Sequence, residues 1–293
     1  MNLDAIQKAI RSYQQNLEKD DLDRLEFFQQ IWESLDDTAA ALELAHRDYT
    51  LPNSEIMQER YVANLPILPV APVEIDTPSM IAALNQTTAA FVDSGNYPQD
   101  LLDELSGLNW ADIIAQTELS DAGSEPAHWL EQVLAVLTNL PLSDQTVGLA
   151  LVIASLSLRL FLETPARLVM DALEGGRDLP HSLLCPVCGS APSLSRVGGH
   201  TSSQGKGRVL ICSQCGADWE FERIRCARCG TREQSQLVYR HIDHDDAHRL
   251  GICKQCGGTI RTVFSEDADA PFSAEVEDVV MAKLDALSRD LTN

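Results

Sequence analysis

Apolar positions in the first 180 residues return at intervals of three and four. Leu25, Phe28, Ile31, Trp32, Leu35, Ala39 and Leu42 follow that step, which predicts an amphipathic helix opening at the acidic stretch 20–23. Similar spacing predicts helices over 78–92, 128–137 and 145–162. The run "VGLALVIASLSLRLFL" at 147–162 is short for a membrane span and carries Arg159, so it reads as a buried helix of a bundle. Pro165 should end or kink it. The stretch "LPNSEIMQERYVANLPILPVAPVEID" carries four prolines and reads as an extended connector across the helices. Past residue 184 the pattern shortens to β-type runs, "RVLI", "WEFERI", "QLVY" and "TIRTVF". Near the end, Val276, Val279, Val280, Leu284 and Leu287 share one helical face, which predicts a tail helix docked on the body or on a partner.

Charge divides the chain where the periodicity changes. The net charge is −22, but residues 181–261 hold eleven Lys and Arg against seven Asp and Glu. The remainder carries −26, an acidic surface that keeps a protein soluble and repels nucleic-acid phosphates. The N-terminal "MNLDAIQKAIRSY" has no basic stretch followed by an apolar one, so no secretory signal is read and the chain is expected to be cytoplasmic.

All eight cysteines lie between 185 and 256. They form four C-x-x-C pairs, Cys185/Cys188, Cys212/Cys215, Cys226/Cys229 and Cys253/Cys256. Twenty-three residues separate the first pair from the second and the third from the fourth, and ten separate the middle two. The unit therefore occurs twice, offset by 41; Gly189/Gly230, Arg208/Arg249, Ile211/Ile252, Gln214/Gln255 and Gly216/Gly257 keep that offset. Glycine follows every pair, where a tight turn needs positive φ. Such a turn aims backbone N–H groups at two sulfurs, and two turns close a tetrahedral four-thiolate site. The repeat favours the first two pairs on one metal and the last two on another, with a cross-braced pairing as the alternative. Zinc or a single iron suits four sulfurs. Disulfides are disfavoured in a cytosolic chain, four equivalent turns do not resemble one reactive redox pair, and an iron–sulfur cluster fits paired knuckles less well.

Other candidates are weaker. "HIDHDDAH" at 241–248 sits between two pairs and reads as a solvated hairpin tip, aligned in the repeat with "HTSSQGKG" at 200–207. That glycine and lysine pattern is not a phosphate loop, and no nucleophile elbow, zinc-protease or dinucleotide motif is present. A closed four-thiolate site cannot activate water, so no catalytic and no cofactor-binding residue is assigned and the chain is not read as an enzyme. Two mononuclear metals, iron or zinc, are the expected cofactors. Their thiolates offset the positive surplus of the cysteine region, which argues against a nucleic-acid-binding ribbon.

The motifs "CPVCGSAP" (185–192), "RVLICSQCGADWEFERIRCARCG" (208–230), "LVY" (237–239) and the fourth pair resemble the formate dehydrogenase accessory protein FdhE family. The specific similarity covers 185–264; that of the helical half is one of architecture. The resemblance implies an α+β chain: a helical domain at 1–180, two tandem rubredoxin-like or zinc-ribbon modules at 181–222 and 223–265, and a C-terminal helix at 272–292. It implies that Cys185, Cys188, Cys212, Cys215, Cys226, Cys229, Cys253 and Cys256 bind metal. It also implies a cytoplasmic protein that binds the catalytic subunit of a formate dehydrogenase during maturation without oxidising formate itself. No nucleic acid and no membrane span is expected; a homo-oligomer is left open. The alternatives are a nucleic-acid-binding zinc ribbon and a redox or iron-handling protein.

Overall fold

Carboxylates in the first turn and a broad apolar stripe make the second helix what the periodicity predicts. The computed structural model describes residues 1–14, 17–173, 182–202, 205–265 and 270–285. Helix α1 (Leu3–Tyr13) is capped by the Asn2 side chain. Helix α2 (Lys19–Ala41) begins with Asp20 and Asp21 and buries Leu25, Ile31, Trp32 and Leu35. Phe27 is the more buried of the Phe27–Phe28 pair, and the two rings meet edge to face.

The proline-rich segment departs from expectation. It contains helix α3 (Ser54–Val62), started by the Asn53 side chain, and a short 3-10 turn at Leu68–Val70. Only Met57 and Tyr61 of α3 are buried, too weak a stripe to stand out between prolines. Helix α4 (Thr77–Asp93) starts at Asp76, whose side chain accepts from Ser79 N, with proline in the first turn. Three short helices follow, α5 (Gln99–Ser106), α6 (Trp110–Ile114) and α7 (Leu119–Ser124), then α8 (Pro126–Leu137).

Helix α9 (Asp144–Leu173) continues past Pro165, so it does not end at the proline. Leu158, Phe161, Leu162, Ala166 and Val169 are buried on both sides of it. A mid-helix proline costs about 3 kcal/mol, while each such large side chain contributes roughly 1.5–3 kcal/mol on burial. By length and composition α9 could cross a membrane, but most of its apolar stretch is buried inside this fold.

The second half is a six-stranded sheet. The strands are β1 (Leu194–Ser202), β2 (Gly205–Ile211), β3 (Asp218–Phe221), β4 (Leu237–Arg240), β5 (His248–Cys253) and β6 (Thr259–Phe264), in the order β3-β2-β1-β6-β5-β4. Within each repeat neighbours are antiparallel, and the repeats join through a parallel β1–β6 pair. Leu210, Trp219 and Phe221 on one face belong to the same core as the helices. The opposite face, with Leu194, Val209, Ile211 and Val263, is covered by Met281 and Leu284. Those two follow helix α10 (Ala274–Val280), which buries Val276, Val279 and Val280. The tail thus docks on its own chain; Leu287 lies outside the described residues. The fold is α+β, with helices first, two ribbon-like four-cysteine modules next and a terminal helix.

Candidate metal centres

Each C-x-x-C-G stretch folds into the same turn. The glycine N–H bonds to the first cysteine's carbonyl in all four, at 2.9 Å for Gly189 and Gly216, 3.1 Å for Gly230 and 2.8 Å for Gly257. The first cysteine's own N–H then bonds to the carbonyl five residues on, as from Cys185 to Ser190 and from Cys212 to Ala217. The four glycines have φ between 71° and 77°, a region costly for any residue with a Cβ.

These turns bring the eight sulfurs into two groups. Cys185, Cys188, Cys212 and Cys215 lie within 4.8 Å of one another, and so do Cys226, Cys229, Cys253 and Cys256. The repeat-closed pairing is the one the fold adopts. In the first group Cys185–Cys215 and Cys188–Cys212 are 3.5 Å apart; in the second Cys226–Cys256 and Cys229–Cys253 are 3.8 Å apart. Four thiolates about 2.3 Å from one tetrahedral centre stand about 3.8 Å from each other, so both groups fit a single divalent or trivalent metal.

Local electrostatics prepare the sulfurs. Burial disfavours the Cys226 thiolate, but N–H groups of Cys229 and Arg228, at 3.4 and 3.3 Å, bring its pKa down to about 7. In the first group burial pushes Cys185 well up, while hydrogen bonds from the neighbouring thiols pull Cys188 well down. A bound cation would remove that difference by holding all four as thiolates.

The first group sits inside the molecule. Its sulfurs are 0–3 % exposed. Arg159 of α9 donates to the carbonyl of Ser213, within the second knuckle, at 3.2 Å. Burial opposes that guanidinium's charge, but Glu275 and Glu163 outweigh it and raise its pKa. Gln214 exchanges hydrogen bonds with the Ser155 side chain and backbone, at 2.9 and 3.2 Å. The connector reaches the first knuckle: Ile67 N and Leu68 N both donate to Val187 O at 3.0 Å. Sequence reasoning missed these anchors, and only the buried charge of Arg159 signalled them. The second group differs: Cys229 and Cys256 are exposed, as is Gln255, the counterpart of Gln214.

The histidine-rich tip needs correcting. His241 and His244 are exposed as expected, but His248 is 5 % exposed and begins β5. Its Nδ1 lies 2.7 Å from Asp245 and its Nε2 3.0 Å from Glu277, which also accepts from Tyr13 OH. Burial would lower the imidazole pKa, but these carboxylates outweigh it and raise it to about 9. The cluster ties α1, β5 and α10 together. Trp219 and Phe221 are buried and Arg223 is exposed, so the first two are strand packing rather than partner surface. The aligned glycine–lysine loop lies partly outside the described residues.

Comparisons with known proteins agree with this architecture. Residues 184–223 match the family model "FdhE, central domain". A crystal structure of the FdhE protein from Pseudomonas aeruginosa is similar with a TM-score of 0.54 over 98% of this chain and 90% of that one, at 16% identity. No curated protein sequence matches. At that identity the structural likeness speaks for the fold alone. The chain thus carries a segment, 184–223, that matches the FdhE central domain and holds the whole first cysteine group, set in a fold similar to that of an FdhE protein.

Proposed function

We propose that this protein is a cytoplasmic accessory factor needed to form active formate dehydrogenase, that it binds the catalytic subunit, and that it has no turnover of its own. Cys185, Cys188, Cys212 and Cys215 hold one metal, and Cys226, Cys229, Cys253 and Cys256 hold another. The observation that carries the reading is the pair of closed four-sulfur groups on an FdhE fold. All four positions of each tetrahedron are filled by protein, leaving no place for a metal-bound water or substrate. When bound, the metal supplies folding energy and, if it is iron, a site able to change oxidation state. The chain's own turns hold the thiolates and offset their charge with N–H groups. In this reading the units divide near residues 180, 222 and 265.

The test is genetic and biochemical. A deletion strain should lose formate oxidation, and the tagged protein should co-purify with the catalytic subunit. Undiminished formate oxidation in the deletion strain would sink the proposal. Metal analysis of anaerobically purified protein should find two metals per chain; thiolate charge-transfer absorption would identify iron, and a colourless protein zinc.

One observation favours an additional redox or iron-handling role for the second site alone. Its two exposed sulfurs give an exchange partner access that the first site denies.

A further inference from the structure

The strand registers align the two repeats more finely than the cysteines do. Ile211 and Ile252 stand just before the second knuckle of each repeat. Ile211 pairs with Leu194, and Ile252 pairs with Val238. Leu194, Ser195 and Arg196 of β1 therefore correspond to Val238, Tyr239 and Arg240 of β4. In the first repeat this stretch is bonded on both sides, by β2 and by the parallel strand β6, from Leu194 opposite Arg261 to Val197 opposite Phe264. In the second repeat, among the described residues, β5 occupies one side and no strand the other. The repeats are related by a shift along the sheet, so β4 presents the kind of edge that β1 gives to β6.

The surroundings of that edge define what fits it. Beside β4 is a cleft of about 210 Å³ whose walls include Leu237, Tyr239 and Ile224 together with Arg223, Arg225 and Arg228; no carboxylate lines it. Tyr239 is 40% and Ile224 49% exposed. Glu222 pairs with Arg225 and Arg232, which leaves the exposed Arg223, Arg228 and Arg240 without a carboxylate among the described residues. Three exposed arginines without a carboxylate partner stand out on a chain of net charge −22, beside a cleft that Cys226 and Cys253 of the second sulfur group also line. The strand at the other end of the sheet, β3, packs Trp219 and Phe221 into the helical core, and the β4 edge of a second copy would bring its own arginines against Arg223, Arg228 and Arg240, like charges that repel.

We infer that the outer edge of β4 and the arginine-lined cleft beside it form a docking site for an extended acidic segment of a partner protein, added as a seventh strand parallel to β4. Backbone hydrogen bonds along the edge give affinity to any extended chain, and the apolar cleft and arginines select alternating apolar and acidic side chains. The site rests on topology and charge, so it stands whether or not the partner is a formate dehydrogenase.

The experiment uses the full-length metal-loaded protein and a fluorescein-labelled peptide of about eight residues, alternating Val with Glu and Thr, followed by anisotropy. Saturable binding is expected, with slowed amide exchange at residues 238–240. The double variant Arg223→Glu/Arg240→Glu should weaken it about tenfold or more with an unchanged melting temperature. Methylating alternate backbone nitrogens of the peptide should abolish it in the phase whose N–H groups face β4 and spare it in the other. No saturable binding would overturn the inference. So would equal binding of the peptide with Lys in place of Glu, or of the two methylated peptides. A single-stranded oligonucleotide that displaces the peptide would assign the arginines to nucleic acid. Dimerisation in sedimentation that the charge reversal abolishes would assign the edge to a second copy. Either result also overturns the inference.

Discussion

The two cysteine groups are copies in sequence and opposites in setting. Each is built from two copies of the same turn, with the same glycine geometry and nearly the same sulfur spacing. The first shares its core with the helices and is held by Arg159, Gln214 and the 67–68 backbone. The second has two exposed sulfurs, and its Gln255 faces solvent. The capacity to hold metal is thus written in the turn, while the consequences of losing that metal depend on what is docked against it.

The largest effect separates the sites directly. Cys212→Ser should remove one metal and lower the melting transition of the whole chain, because the first site's residues are part of the helical core. Cys253→Ser should also remove one metal, yet leave the helical transition nearly unchanged. A structural zinc is worth on the order of 10–16 kcal/mol of folding energy, so calorimetry with metal analysis will resolve the two outcomes. Equal effects on the helical transition would erase the contrast.

Next is the lock on the first site. Arg159→Met takes the shared guanidinium from the half-buried Glu163 and Glu275, leaving Glu163 only the N-terminal ammonium at 2.6 Å, which should cost about 1–3 kcal/mol in urea unfolding. A loss below about 1 kcal/mol, the usual value of an exposed pair, would show that the first site does not depend on that lock.

The second repeat has its own attachment, and it titrates. His248 is pressed between Asp245 and Glu277, with Tyr13 on the same carboxylate and Lys283 3.5 Å from Asp245. The imidazole's pKa rises from 6.5 to about 9 on folding. Its contribution is therefore complete below pH 6.5 and is lost as pH climbs through about 9. Asp245 is shifted the other way: burial opposes, but the contacts with His248 lower its pKa. Its contribution is present above the ordinary carboxylate range and lost on acidification through it. His248→Gln should flatten the alkaline limb of melting temperature against pH; an unchanged limb would count against the clamp.

The smallest effect is the cleanest comparison. Gln214→Ala should cost about 1 kcal/mol through its bonds to Ser155. Gln255→Ala, the same change in the other copy, should cost almost nothing. Equal costs would mean that docking on α9 is not what distinguishes the copies.

The sequence made local chemistry legible and long-range assembly obscure. Four C-x-x-C-G turns, the α2 stripe and the start of α4 with proline in its first turn are each set by residues a few positions apart, so their patterns survive in one dimension. Strand β1 escaped notice because Gly198, Gly199 and its serines carry no alternation. Its parallel pairing with β6 joins residues nearly seventy positions apart. Pro165 misled because core burial outweighs one lost hydrogen bond. His248 misled because its partner Glu277 belongs to another element. The grouping of the sulfurs followed from equal gaps; which site is buried could not, since the anchors come from α9 and the connector.

Helix α10 and the turn after it touch nearly every part at once. Glu275 reaches Arg159, Glu277 reaches His248 and Tyr13, Asp278 reaches Arg261, and Met281 and Leu284 lie across strands of both repeats. This segment is also made after all eight cysteines. During synthesis, then, both sulfur groups leave the ribosome before the splint that spans their joint. For the buried first group, metal loading has a window in time that closes when that splint settles; the second group, with Cys229 and Cys256 exposed, stays open to it.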